Sequence, residues 1–238
     1  MKVCAVIPTY NNSGTIAKVI ESVLCYCADV FVVSDGADDA TLSAIKPFED
    51  RITLIAYTPN RGKGYALKTA FHEARRQGYD YAITLDSDGQ HFADDIPVFM
   101  DAIEKGSGEM FVGSRNLNAE NMPSGNTFAN KFSNFWFTLQ TFKKLPDTQT
   151  GYRAYPLASC ALPLTSRYEA ELEMLVRSAW RGLDIVPVPV KVYYAPAGER
   201  VSHFRKGKDF TRISLLNTVL TISAIFYGWP SMLIRKIW

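Results

Sequence analysis

The sequence carries no large excess of charge: 26 lysines and arginines stand against 24 aspartates and glutamates, a net of +2. So even a balance gives no compositional case for nucleic-acid binding. The four cysteines, Cys4, Cys25, Cys27 and Cys160, form no CxxC pair. No secretory leader precedes them, so they read as reduced thiols of a cytoplasmic protein. Cys25 and Cys27 lack the second pair that a structural zinc site requires. There is no internal repeat and no low-complexity tract. With 47% hydrophobic and 21% charged residues, the composition belongs neither to a disordered chain nor to a multi-span membrane protein. A length of 238 residues suits a single domain with a substantial core.

What is present is an alternation. Apolar runs of strand length occur at Val3 to Ile7, Val30 to Val33, Ile52 to Tyr57, Tyr81 to Leu85 and Met110 to Val112. Between them, Ile16, Val19, Ile20, Val23 and Leu24, then Ala66, Leu67, Ala70, Phe71 and Ala74, repeat at three and four and predict helices with one apolar stripe each. Strand and helix in turn imply right-handed crossovers and a mostly parallel sheet, an α/β fold. Further on, Phe128 to Phe142 reads as an aromatic-rich helix. "IVPVPVKVYY", residues 185 to 194, has prolines at alternate positions and reads as an edge strand.

In sheets of this kind, ligands bind beyond the carboxyl ends of the strands. Every predicted strand ends in polar residues there. The fourth ends in Asp86-Ser87-Asp88, two like charges one residue apart. They repel unless a positive group sits with them, and a divalent cation answers that need. Mg²⁺ or Mn²⁺ suits hard carboxylate oxygens, and Mg²⁺ is commonly held by one or two carboxylates plus substrate phosphates, so a nucleoside diphosphate is the expected ligand. An EF-hand loop is excluded because His91 stands where its glycine belongs. A phosphatase-type nucleophile is disfavoured because Gln90 stands where a threonine is expected. A solvated acidic turn is the plain alternative. Asn60-Arg61-Gly62-Lys63-Gly64 opens a helix and matches neither GxxxxGK[ST] nor a full GxGxxG; Lys63 is either a donor contact or part of an ordinary helix start.

Seven motifs then occur in order: "VIPTYNN" at 6 to 12, "VVSDGADDAT" at 32 to 41, "NRGKGYALKTAF" at 60 to 71, "LDSDGQH" at 85 to 91, "VGSR" at 112 to 115, "DTQTGYRAYP" at 147 to 156 and "RVSHFRKGKDFTRI" at 200 to 213. With these the chain resembles glycosyltransferase family 2, inverting transferases of GT-A fold (a Rossmann-like nucleotide-diphospho-sugar transferase). Within that family it is similar to polyprenyl-phosphate sugar synthases related to dolichol-phosphate mannose synthase. The resemblance implies that Pro8, Tyr10 and Asp35 hold the base and ribose of a UDP- or GDP-hexose. It assigns the DxD role to Asp86 and Asp88 with Ser87 between them, Asp88 as direct metal ligand and Gln90 as a second. Asn12, Ser34 and Ala37 depart from the family pattern and leave the base open.

On the acceptor side, Asp147 in "DTQTGYR" is a candidate base, orienting group or turn cap. Arg115 and Arg153 are candidate phosphate contacts, since the guanidinium fork matches phosphate geometry. Glu169 and Glu171 face either the site or solvent. The basic run holding Arg200, His203, Arg205, Lys206, Lys208 and Arg212 suits a lid over the diphosphate or a seat for a lipid phosphate. It is followed by 22 uncharged residues, Ile213 to Ile234, with Ser214, Asn217, Thr218 and Thr221 on one side and Leu215, Leu216, Val219, Leu220, Ile222 and Phe226 on the other, before Pro230 interrupts. That pattern fits an interfacial amphipathic helix better than a span, and packing on the domain itself or on a second subunit, as in a homodimer, is the alternative. The expected division is a catalytic domain over 1–207 and a membrane-associated helical segment over 208–238, at the cytoplasmic face. Rival functions are a soluble transferase with a hydroxyl acceptor and a non-catalytic nucleotide-binding protein of the same fold.

Overall fold

The computed structural model describes residues 1–116, 124–193 and 206–237. Seven strands form one sheet in the order β3-β2-β1-β4-β6-β5-β7. They are β1 (Val3–Thr9), β2 (Val30–Asp35), β3 (Thr53–Tyr57), β4 (Tyr81–Thr84), β5 (Met110–Arg115), β6 (Arg153–Pro156) and β7 (Ile185–Val190). All neighbours pair in parallel except β6, which runs antiparallel to both β4 and β5. The helices are α1 (Ile16–Leu24), α2 (Asp39–Ile45), α3 (Lys63–Arg76), α4 (Ile96–Lys105), α5 (Ser124–Thr141), α6 (Glu169–Trp180), α7 (Lys206–Ser223) and α8 (Trp229–Ile237).

The central strands are apolar without alternation because both faces are covered. Cys4, Val6, Phe31 and Val33 point into a cluster completed by α3, α6 and α7, whereas Ala5, Ile7, Val30 and Val32 point into a second completed by α1 and α4. The five predicted strands and the prolyl edge strand are present, the latter with Pro187 and Pro189 exposed and Val188 and Val190 buried. Missed was β6, four residues led by a buried arginine, with too little apolar pattern to register. Because β1 has β2 on one side and β4 on the other, the chain reverses direction of winding there and opens a crevice at the carboxyl ends of those two strands.

The C-terminal segment differs from expectation in one respect. Pro230 does not interrupt the helix: a π-turn at Ala224–Gly228 connects α7 to α8, and Pro230 falls in the first turn of α8, where its missing N–H costs little. Gly228 lies directly on the Trp180 indole, so close that a Cβ would collide with it. Leu216, Leu220 and Ala224 are buried in the same cluster as α3 and α6. The segment therefore packs on the α/β body along its inner side.

Candidate active site

The crevice is floored by the turn after β4. Asp86 does not stand alone there: Lys63, the first residue of α3, places its Nζ 2.5 Å from Asp86 Oδ1 and 2.8 Å from Glu171 Oε2. Burial works against the lysine's charge, yet the two carboxylates hold its pKa above the ordinary value. Burial likewise pushes Asp86 upward, but the charge and hydrogen bond of Lys63 outweigh it and keep the carboxyl below the usual range. This approach requires glycines. Gly62 sits at φ +99, and a Cβ on Gly151 would stand 2.6 Å from Asp86 Oδ2 and 2.9 Å from Lys63 Nζ.

Among the described residues, Asp88 has no such ion pair. Burial, with Asp86 next in effect, pushes it up to about 6; its Oδ1 accepts the Gln90 amide at 3.0 Å. Among the described residues no three His, Cys, Asp or Glu side chains converge as a full metal cage. A carboxylate whose charge is not paired by a described residue, with hard oxygen donors, fits a Mg²⁺ or Mn²⁺ ion completed by substrate phosphates. Ser87 points away and is tied to the β1 end: its Oγ accepts from Asn12 Nδ2 at 2.6 Å and its carbonyl from Thr15 Oγ1 at 2.7 Å. The Asn12 departure thus serves as a strut between two loops. The Gln90 carbonyl accepts from the Tyr193 amide at 2.9 Å, which fixes the backbone of the proposed second ligand.

Several expected roles change. Pro8 is buried within β1 opposite Val33, so it shapes the strand end that carries half-buried Tyr10. The Asp35 carboxylate is buried and accepts from Arg61 N and Gly62 N, each at 2.7 Å, and Asn60 Nδ2 at 2.9 Å. It anchors the entry to α3, and with it Lys63, where a ribose contact was expected. Arg153 is fully buried, and its donors go to the carbonyls of Thr150, Thr148 and Glu171 at 2.7–2.9 Å. That spends the fork on backbone and leaves it a positioning residue in place of a phosphate contact. Arg200, His203 and Arg205 lie outside the described residues.

Beside this cluster stands a second. Arg115 grips Asp147 bidentately, Nε to Oδ2 at 2.6 Å and Nη2 to Oδ1 at 3.0 Å. Asn130 of α5 adds a third donor at 2.5 Å and the Gln149 amide a fourth at 3.0 Å. Burial raises the Asp147 pKa, but Arg115 with these other donors outweighs it and holds the carboxyl below its ordinary range. A carboxylate so saturated orients its neighbours and is poorly suited to take a proton. His91 lies between the two clusters: burial lowers it to about 4 despite Asp86 and Asp147, so the ring is neutral, and Nδ1 has no partner among the described residues. His91 and Gly151 had drawn no functional reading from the sequence, because packing rather than spacing brings them here. Glu171, left undecided, faces the site, its Oε1 buried and without a hydrogen-bond partner among the described residues.

A seven-stranded, mostly parallel sheet with a carboxylate pair at the end of a central strand places the chain in the α/β class, and solved structures agree on the fold. Glucosyl-3-phosphoglycerate synthase from Mycobacterium tuberculosis, in complex with Mn²⁺, UDP-glucose and phosphoglyceric acid, superposes with a TM-score of 0.67 at 17% identity, covering 94% of this chain and 79% of that one. Mannosyl-3-phosphoglycerate synthase from Rubrobacter xylanophilus gives 0.65 at 16% identity, covering 99% and 75%. The Glycosyl transferase family 2 profile matches residues 4–160, and the chain belongs to that family. Among its relatives are a UDP-N-acetylglucosamine--dolichyl-phosphate N-acetylglucosaminyltransferase of Methanococcus voltae, 31% identical over 79% of this chain and 84% of its own. Another is a polyprenol monophosphomannose synthase of Mycolicibacterium smegmatis, 27% identical over 78% of this chain and 75% of its own. The protein is a glycosyltransferase.

Two predictions arise from this geometry. Asp88 titrates near 6 in the folded state against an ordinary value of 3.8, so the metal-free fold loses stability as pH rises from about 4 through about 6. Asp88→Asn, denatured in chelator, is expected to be more stable than wild type at pH 7.5 by on the order of 1–2 kcal/mol and to match it at pH 4. Asp147→Ala, which removes the buried carboxylate that Arg115 grips, should cost roughly 3–5 kcal/mol in urea unfolding; a loss near zero would show that the pair carries no structural weight.

Proposed function

We propose that this enzyme moves a hexose from a UDP- or GDP-linked donor to a polyprenyl phosphate, inverting the anomeric carbon. The observation that carries the reading is the asymmetry of the carboxylate pair: Asp86 is neutralised by Lys63, while Asp88 is left needing a cation. Asp88, with Gln90 and the donor diphosphate, would hold Mg²⁺ or Mn²⁺, which when bound neutralises charge on the departing diphosphate. Lys63 stands where it can contact that diphosphate, and Arg115 is poised on the acceptor side. A phosphate oxygen of the acceptor attacks the anomeric carbon from the face opposite the leaving group; that bond forms as the bond to the donor phosphate breaks. The attacking oxygen is already anionic, so no general base is required. This agrees with Asp147 being locked by Arg115. Relatives named for dolichyl phosphate, polyprenol monophosphate and undecaprenyl phosphate support the acceptor class.

Residues 1–207 are read as the catalytic unit and 208–238 as its membrane-facing segment, working at the cytoplasmic face. Gly207–Arg235 is long and apolar enough to cross a bilayer. Its inner side is packed on α6 through Leu216, Leu220 and Gly228, however, which favours a helix lying along the surface. A hydroxyl acceptor is the second reading, and the free oxygen of Glu171 is the observation that favours it, because such an acceptor needs a base.

A transfer assay with Mn²⁺, a panel of nucleoside diphosphate hexoses and a short-chain prenyl phosphate tests the proposal. Asp88→Ala should lower the rate by at least about a hundredfold without unfolding the protein. Near-normal turnover would remove the metal assignment. Glu171→Gln should leave transfer to prenyl phosphate with an unaltered pH profile, whereas loss of a basic limb from that profile would favour the hydroxyl acceptor.

A further inference from the structure

The loop that carries the carboxylate pair runs from the end of β4 to the start of α4, and other elements tie it down on two sides. Its first half is held from the β1 side, where Thr15 Oγ1 donates to the Ser87 carbonyl at 2.7 Å. Gly89, at φ +74, then turns the chain back, and the Gln90 amide reaches Asp88 Oδ1 at 3.0 Å. The second half is held by the residues that follow β7. The Tyr193 amide donates to the Gln90 carbonyl at 2.9 Å, Val192 bridges His91 in antiparallel fashion, and the Lys191 amide donates to Asp95 Oδ2 at 2.7 Å.

Asp95 is the unusual member of this set. It stands immediately before α4, where an aspartate ordinarily accepts from the amides of its own helix, yet its side chain makes no such bond. It is 3% exposed, and burying a carboxylate is costly unless a donor meets it. The donor is the Lys191 amide, 96 positions away in the chain. The Lys191 ammonium adds little: it is exposed, pairs with exposed Asp94 at 2.6 Å and stands 3.9 Å from Asp95 Oδ1. The contact with weight is therefore the buried one to the backbone. Val190, the residue before Lys191, is paired with Arg115 across β7 and β5. One carboxylate thus joins the loop bearing Asp88 and Gln90 to the strand pair bearing Arg115.

We propose that Asp95 is a positioning residue for the metal site. By holding the Lys191 amide it pins the end of β7 against the loop, which fixes Gln90 through its carbonyl and Asp88 through the Gln90 amide. Groups that orient the ligands of a metal cost about ten- to a hundredfold in metal affinity when they are removed. Asp95 acts through its neighbours and not by contact with the ion. The inference rests on the reading of Asp88 and Gln90 as metal ligands, and its test separates the two.

Mn²⁺ binding to the full chain is measured by electron paramagnetic resonance with UDP and, in a second arm, with GDP. Asp95→Ala should weaken Mn²⁺ binding about tenfold or more, while Asp95→Asn, which keeps an acceptor oxygen in place, should stay within about threefold of wild type. Lys191→Pro removes the donor from the other side of the bond, in a strand that already carries Pro187 and Pro189, and should weaken Mn²⁺ to the same degree as Asp95→Ala. Lys191→Gln, which keeps the amide, should bind as wild type. Hydrogen exchange in the metal-free protein gives a second readout. In Asp95→Ala the Tyr193 amide should exchange about tenfold faster while amides of β1 and β2 are unchanged, which marks a local release and not a general loss of stability. Wild-type Mn²⁺ affinity in Asp95→Ala or Lys191→Pro, unchanged Tyr193 exchange, or faster exchange throughout β1 and β2 overturns the inference alone. Wild-type protein that binds no Mn²⁺ with either nucleotide overturns the metal reading, and the inference falls with it.

Discussion

Two carboxylates at the end of one buried strand set the terms for everything around them. Asp86 and Asp88 cannot both be charged in a partly dry crevice without positive neighbours. Among the described residues, the fold pairs one cation with Asp86 and none with Asp88. Lys63 is the resident charge, and much of the surrounding structure exists to deliver it. Asp35 anchors the loop that starts α3, Gly62 lets the chain turn into the helix, Gly151 clears space for the ammonium, and Glu171 holds its far side. With Asp86 satisfied, Asp88 remains the group whose charge is costly in the apo protein. On the proposed reading, a metal ion bound with a diphosphate would remove that cost.

The acceptor side is built on the same logic with the opposite result. Arg115 and Asp147 cancel each other with four donors around the carboxylate, so neither is left in need. A neutral His91 fills the space between the two clusters without adding charge. One half of the crevice is thus electrostatically unfinished and the other closed, which suits chemistry in which the donor brings a cation and the acceptor brings its own negative charge.

Much of this was legible in the sequence. The parallel strands announced themselves because residues buried on both faces must be continuously apolar, and the Asp86/Asp88 pair because like charges one residue apart at a strand end demand a partner. What could not be read there were contacts that depend on packing between distant segments. Arg153 looks like a phosphate ligand until β6 buries it between carbonyls, and Asp35 like a ribose contact until the loop from Asn60 to Gly62 folds over it. Lys63 could be read only as an even choice, since Asp86 and Glu171 lie 23 and 108 residues away. The segment at 213–234 was expected to divide into a polar and an apolar side, but its buried face draws on both, Leu216 and Leu220 together with Asn217.

The most direct test of the central claim is anomalous scattering at the manganese edge from crystals soaked with MnCl₂ and a nucleoside diphosphate. The account predicts an ion bound by the Asp88 carboxylate and the diphosphate oxygens at the carboxyl end of β4. A bound nucleotide with no ion beside Asp88, and with that carboxylate turned away from the diphosphate, would contradict it.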